Sequence, residues 1–216
     1  MPVTTSPPNG RGGQTGSCET AKGEELAADP SAYIRSKGLN VCFLNIKGYN
    51  DRKLTKLLSL VGKDSVLVLA ESHLSEAKQR QNKLRWSDFH HIHAPYTSAA
   101  RGISVFVRKN NKFNACLRKC SEKDGRLLVF EISLGETKFK TAVVYAPNGK
   151  REKREFFSSL TQEIEGGIDL LLGDFNCVLD PRDRNQNTSV NEDGSEELAE
   201  AVNHWDLVDG WRLVNP

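Results

Sequence analysis

Hydrophobic residues from Asn40 onward follow two patterns: short continuous apolar runs, and longer stretches with an apolar residue every three or four positions. The runs at 40–44, 65–70 and 168–172 are typical of buried strands, because a strand covered on both faces needs no polar alternation. Helical spacing recurs in four stretches. These are one that begins near the capping residues Asn50 and Asp51, and those at 75–84, 151–164 and 196–208.

A β-rich centre lies between the second and third predicted helices. Its strands are expected at 89–93, 102–108, 113–118, 126–133 and 138–145. A polar loop rich in Asn and Asp follows the last apolar run, over 183–195. Buried strands interleaved with helices predict a layered α/β domain.

The first 38 residues differ from the rest of the chain. Gly, Pro, Ser and Thr dominate, and no aromatic residue precedes Tyr33, so burial cannot offset the entropy lost on ordering. We therefore predict a disordered N-terminal tail over 1–38 and a folded domain over 39–216. No apolar run approaches the roughly 18 residues of a membrane crossing, and the N-terminus lacks the apolar centre of a signal peptide. These features predict an intracellular protein.

Composition narrows the class further. The 216 residues, 38% of them hydrophobic, suffice for one domain with a real core. Five scattered cysteines without C-x-x-C spacing argue against a disulfide framework or a zinc site and fit a reducing compartment. The net charge of +2 conceals +12 over 39–160 and −10 over 161–216. The basic part suits a polyanion and the acidic part divalent cations, although charge alone equally allows solvated faces.

Polar residues end four of the apolar strands. The strands run into Asn45, Glu71, Asn148, and the pair Asp174 and Asn176. Taken singly, each residue also suits a turn or a helix cap. Together they indicate a site, because strand ends at one edge of an α/β sheet are rigid yet open to solvent.

The same segments carry a family resemblance. LNIKGYN (44–50), LAESH (69–73), RGISVFVRK (101–109), VVYAPN (143–148) and LLGDFN (171–176) follow one another in that order. The sequence from about residue 40 to 216 resembles the endonuclease/exonuclease/phosphatase superfamily. Within it, the likeness is to the apurinic/apyrimidinic-type endonuclease domain of LINE-type (non-LTR) retrotransposons.

This resemblance implies a fold and an activity. The implied fold is a four-layered α/β sandwich, two mixed sheets flanked by helices. The implied activity is a Mg²⁺-dependent DNA endonuclease, with Mn²⁺ as the alternative ion, that nicks one strand for target-primed reverse transcription. Such an enzyme would act in the nucleus, and a monomer is favoured.

The resemblance also implies residue roles. Glu71 would bind the metal, and Asn45 would support the metal or orient Glu71. Asp174 would orient or deprotonate the attacking water. Asn176, Tyr145 and Asn148 would contact the phosphate. The basic residues after VYAPN lie nearest that site and would bind the DNA backbone: Lys150, Arg151, Lys153 and Arg154.

Two departures from the family pattern matter. Ala70 stands where many relatives have Gln. The chain also stops at Pro216, before the family's last strands and its terminal Ser-Asp-His. We therefore expect an incomplete fold that is weakly active or inactive, as a fragment or a decayed copy. The alternatives are a non-catalytic nucleic-acid-binding remnant and another phosphodiesterase of the superfamily.

Overall fold

The computed structural model describes residues 3–5, 39–183 and 194–215 of the chain. The strands are β1 Val3–Thr5, β2 Asn40–Asn45, β3 Ser65–Ala70, β4 Phe89–Ala94, β5 Ile103–Arg108, β6 Cys116–Lys123, β7 Leu127–Leu134, β8 Thr137–Tyr145, β9 Leu170–Asp174 and β10 Leu207–Asp209. The helices are α1 Asp51–Leu60, α2 Glu76–Asn82, α3 Lys150–Glu163, α4 Ser195–His204 and α5 Gly210–Val214, with a 3₁₀ turn at Pro181–Asp183.

The strands form two mixed sheets. One has the order β10-β1-β9-β8-β7-β6 and the other β2-β3-β5-β4. In each sheet one neighbouring pair is parallel: β8 with β9, and β2 with β3. The remaining pairs are antiparallel.

Three apolar clusters hold four layers together. The residues of α3 and α4 pack on one face of the six-stranded sheet, as the contacts of Phe157 and Leu198 illustrate. The two sheets pack on each other through residues such as Val68 and Phe130. Leu54 of α1 covers the outer face of the four-stranded sheet. The predicted four-layered α/β sandwich is confirmed.

Local side-chain contacts set several boundaries. The Asn50 side chain accepts a hydrogen bond from Lys53 N at 3.0 Å and begins α1, as its residue type predicts. The strand predicted at 113–118 begins only at Cys116, so its predicted start is wrong. The Asn111 side chain accepts bonds from Phe113 N and Ala115 N and so holds a loop there.

The last predicted helix is also shorter than expected. It ends at His204 instead of continuing to Val208, because Asp206 adopts a left-handed φ of 53°. Leu207–Asp209 then pairs with β1.

The predicted tail needs one correction. Val3–Thr5 forms a strand between β9 and β10, where the sheet supplies backbone partners that the local sequence cannot reveal. The rest of the predicted tail, residues 1–2 and 6–38, lies outside the described residues, as does most of the polar loop, at 184–193. Among the described helices, none combines the length and apolar character that a membrane crossing requires.

Candidate active site

Two parallel strand pairs determine where the predicted site residues lie. Asn45 at the end of β2 is in register with Ala70 at the end of β3. Tyr145 at the end of β8 is in register with Asp174 at the end of β9. Parallel neighbouring strands end at the same edge of a sheet, so the polar residues at or directly after the ends of each strand pair lie close together.

The Asn45 side chain joins the two sheets. Its Nδ2 donates to Glu71 Oε1 at 2.9 Å and to Asp174 Oδ2 at 2.9 Å. Its Oδ1 accepts from Lys47 N at 3.1 Å, which fixes the orientation of the amide. One nitrogen thus contacts both carboxylates. The distance between Glu71 Oε1 and Asp174 Oδ2 therefore cannot exceed the sum of the two hydrogen-bond lengths. The carboxylates of Glu71 and Asp174 therefore face one site.

Glu71 leaves its strand sharply and stays ionised. Its φ is 48°, a left-handed conformation that L-residues seldom adopt, and such conformations cluster at functional sites. Burial acts to raise the pKa of Glu71, but hydrogen bonds from Asn45 and Tyr145 outweigh it, helped by neighbouring positive charge. The net effect lowers the pKa below its ordinary 4.5. The carboxylate is thus available as a charged oxygen ligand at neutral pH.

Tyr145 contacts the same carboxylate. Burial first, and then the hydrogen bond to Glu71, raise the pKa of Tyr145 to about 12. The phenol therefore keeps its proton through the alkaline range and remains a hydrogen-bond donor. On the other side of Glu71, His73 Nε2 lies 3.8 Å from Oε2.

Asn176 and Asp174 share a turn. Asn176 N donates to Asp174 Oδ1 at 3.3 Å, and Asn176 Nδ2 donates to Ala146 O at 2.8 Å. An amide nitrogen has two hydrogens, so one remains for a substrate oxygen. The two residues line an open cleft of about 500 Å³ whose other walls include Phe43, Phe175 and Leu198. Asn148 is exposed just beyond β8.

Sequence comparison finds similarity to a transposon protein. No protein-family model matches the sequence. The chain is 32% identical over 189 residues to the "Transposon TX1 uncharacterized 149 kDa protein" of Xenopus laevis. The match covers 82% of this chain, which spans only 14% of the length of that relative.

Solved structures give the fold. An AP endonuclease from Archaeoglobus fulgidus superposes with a TM-score of 0.58 at 15% identity, over 77% of this chain and 70% of that one. The 3′ phosphatase NExo from Neisseria, bound to a product DNA hairpin, superposes with a TM-score of 0.53 at 17% identity, over 76% and 71%. The chain has the endonuclease/exonuclease/phosphatase fold. The resemblance predicted from the motifs is confirmed.

The side chains at the strand-end edge can be compared with the ligands that a hard metal ion requires. No group of three or more His, Cys, Asp or Glu side chains able to hold a metal occurs within 39–183 and 194–215. Mg²⁺ does not require such a cage, since one or two carboxylates with waters and substrate phosphate oxygens suffice. The Glu71 and Asp174 carboxylates fit that requirement, and the Asn45 amide nitrogen holds the two carboxylates together. This donor set suits a divalent cation that prefers oxygen ligands.

The structure buries the side chain of one predicted DNA contact, Lys153. Lys153 is 8% exposed, and its ammonium donates to Asn176 O while its stem packs beside Gly194. Long basic side chains can bury their stems in this way, and the amino-acid pattern of a charged helix does not reveal it. Lys153 is therefore a positioning residue for the Asp174–Asn176 turn.

The other three residues of that cluster remain at the surface. Arg151 pairs with Glu155 at 2.7 Å, and Arg154 lies 3.9 Å from Glu197. Lys150 begins α3 and is exposed. Their predicted role in DNA binding stays a prediction.

Replacing Lys153 by Met is expected to destabilise the fold by about 2 kcal/mol, because a buried carbonyl loses a charged donor. The slope of DNA affinity against salt concentration should stay unchanged. Urea denaturation and a salt titration of DNA binding measure the two quantities. Arg151→Ala, at a site 91% exposed, serves as the control and should change stability by less than about 0.5 kcal/mol. A stability equal to wild type in Lys153→Met would contradict its assignment as a positioning residue.

Replacing Tyr145 by Phe is expected to raise the pKa of Glu71, because the carboxylate loses a donor. A carboxyl with a depressed folded pKa contributes stability above its unfolded pKa, and that contribution is lost as the pH falls through the folded value. Tyr145→Phe should therefore cost about 1 kcal/mol at pH 7, and the difference from wild type should shrink below pH 4.5. Urea unfolding at pH 7 and at pH 3 measures it. A difference that stays constant with pH would show that the hydroxyl does not act on Glu71.

Proposed function

We propose that this domain is a metal-dependent phosphodiesterase that nicks one strand of DNA. One observation carries the proposal: the Asn45 amide draws the Glu71 and Asp174 carboxylates together at the strand-end edge. A pair of carboxylates beside neutral donors suits the hydrolysis of a phosphodiester, because it can hold a metal ion and direct a water.

Each residue has a distinct task in this proposal. Glu71 would hold Mg²⁺ or Mn²⁺, and the bound ion would neutralise charge at the phosphate. Asn45 keeps both carboxylates in place. Asp174 orients the attacking water and accepts its proton, since the Asp174 carboxylate lies at the open cleft.

Neutral donors serve the phosphate itself. Tyr145 keeps its proton across the working pH range, and Asn176 retains one N–H for an equatorial oxygen. Such fixed donors stabilise the charge that develops on the phosphate oxygens. Exposed Asn148 lies beyond the same strand end and would contact the phosphate from the solvent side.

The relation to a transposon protein supports a more specific role. We infer that the nick leaves a 3′ hydroxyl that primes reverse transcription, which would require the protein to act on nuclear DNA. The nicking activity and the priming role are separate proposals, since a nuclease of this fold could act elsewhere.

Conversion of supercoiled plasmid to the open-circular form tests the proposed activity. The wild type should nick in Mg²⁺ and stop on addition of EDTA, and both Glu71→Ala and Asp174→Ala should abolish nicking. Glu136→Ala is a matched control, because Glu136 lies exposed in the turn at the opposite end of β8. Equal nicking by all four proteins would remove the proposal. DNA binding that ignores EDTA, without nicking, would favour the non-catalytic alternative.

A further inference from the structure

Two arginines far apart in sequence come together beside the candidate active site. Arg101 precedes β5 and Arg126 precedes β7, and each adjoins a glycine. Gly102 N donates to Gly125 O at 3.1 Å. A Cβ on Gly125 would lie 2.9 Å from Gly102 N and 2.8 Å from Tyr96 Cβ, so only glycine allows this approach. The close backbone contact brings the two arginines to one rim.

Each guanidinium lies over a tyrosine ring. Arg101 Cζ is 4.4 Å from the centroid of Tyr96, and Arg126 Cζ is 5.2 Å from the centroid of Tyr145. Arg126 also donates to Tyr145 O at 3.0 Å. The hydroxyl of Tyr145 forms a hydrogen bond with Glu71. Arg126 and the Glu71 carboxylate therefore contact the same tyrosine side chain. The arginine pair therefore adjoins the site of chemistry.

Within residues 39–183 and 194–215, no carboxylate lies in ion-pair distance of Arg101 or Arg126. Arg52 and Arg108 share this property, whereas seven arginines do have such a partner: Arg80, Arg85, Arg118, Arg151, Arg154, Arg182 and Arg212. Burial, and then the charge of Arg101, lower the pKa of Arg126. Two like charges held this close favour the binding of an anion between or beside them.

The backbone of Arg101 adds a separate indication. Its φ is 57°, in the left-handed region where glycine would be relaxed, and Arg101 O accepts a bond from His73 N at 2.8 Å. An arginine held there at a conformational cost indicates a use for its side chain. Tyr96 is 42% exposed and Arg101 is only partly buried, so both lie at the surface of the protein.

We propose that Arg101 and Arg126 form a subsite for a backbone phosphate of the DNA strand flanking the scissile phosphodiester. The inference rests on the proposed function and specifies how the same site holds its substrate. Guanidinium groups suit this task because their planar donors meet two phosphate oxygens at once. Phosphate contacts position the duplex without reading its sequence, so the subsite should act on all DNA sequences alike.

Salt dependence of DNA binding tests the subsite. The probe is a 20-base-pair labelled duplex in EDTA, with affinity measured from 50 to 200 mM NaCl. Arg101→Ala should reduce the slope of log affinity against log salt by about one and weaken binding by roughly tenfold at 100 mM. Arg101→Lys, which keeps the charge, should retain the slope. Arg118→Ala is the control. Arg118 lies on β6, at the far edge of the six-stranded sheet, and forms an ion pair with Glu131 of β7.

The outcomes separate the subsite from the proposed function. A wild-type slope in Arg101→Ala, with thermal melting unchanged, overturns the subsite, and plasmid nicking lost in Glu71→Ala would then leave the proposed function standing. Wild-type protein that shows no salt-dependent DNA binding overturns both. A reduced slope in Arg118→Ala equal to that of Arg101→Ala also overturns the subsite, because the effect would then be one of general charge.

Discussion

Asp174→Asn is expected to lower the nicking rate at saturating DNA by about 10³-fold while leaving DNA affinity within a factor of two or three. The amide keeps the size of the carboxylate but cannot accept the proton of the attacking water, and general-base catalysis contributes about 10²–10⁴-fold. Asn45, which donates to Asp174 at 2.9 Å, would also lose a charged acceptor. Single-turnover nicking and equilibrium binding of the same duplex measure the two quantities.

Glu136→Gln is the matched control for this substitution. It removes a carboxylate at the opposite end of β8, where the side chain is exposed, and should leave both quantities unchanged. Nicking by Asp174→Asn at the wild-type rate would show that this carboxylate takes no part in the chemistry. A parallel fall in binding and rate would instead assign Asp174 to holding the substrate.

Gly173→Ala is expected to destabilise the fold by about 3 kcal/mol or more, and to lower the melting temperature by roughly 10 °C. Gly173 pairs with Val144 in the parallel β8–β9 ladder, and a Cβ there would lie 2.0 Å from Val144 O. The obstacle is backbone, so no side-chain rotation relieves it. Strand β9 must move away from β8, which separates Asp174 from Tyr145. Thermal and urea unfolding measure the loss.

Gly167→Ala is the control for this effect. A Cβ at Gly167 meets nothing within 4 Å, so its substitution should change stability by less than about 0.5 kcal/mol. If Gly173→Ala and Gly167→Ala had the same melting temperature, the close approach of β8 and β9 at Gly173 would be incorrect.

The positions of the central site residues follow from the sequence because they depend on simple features. Apolar runs locate the strands, and a polar residue directly after such a run must lie at a strand end. Asn45, Glu71 and Asp174 each satisfy this condition. Parallel pairing brings Asn45 and Glu71 to one end of the four-stranded sheet, and Tyr145 and Asp174 to one end of the six-stranded sheet. The sequence pattern does not predict that Asn45 donates to both carboxylates, because this contact depends on how the two sheets face each other.

Other features depend on tertiary contacts that leave no local pattern. The residues around Lys153 are typical of a solvent-exposed helix face, yet its ammonium donates a hydrogen bond to Asn176 O in the turn after β9. Val3–Thr5 has too little apolar character to predict a strand, and its partners at β9 and β10 are remote in sequence. Arg101 and Arg126 meet only because two glycines allow their loops to touch.

The central claim is that Glu71 and Asp174 act as one unit on a single phosphodiester. A double-mutant cycle of plasmid nicking with Glu71→Gln, Asp174→Asn and the combined variant tests it most directly, because groups that act together give strongly non-additive losses. We expect each single variant to nearly abolish nicking, and the combined variant to be no slower than the slower single one. Wild-type nicking by either single variant, or losses that simply multiply, would contradict it.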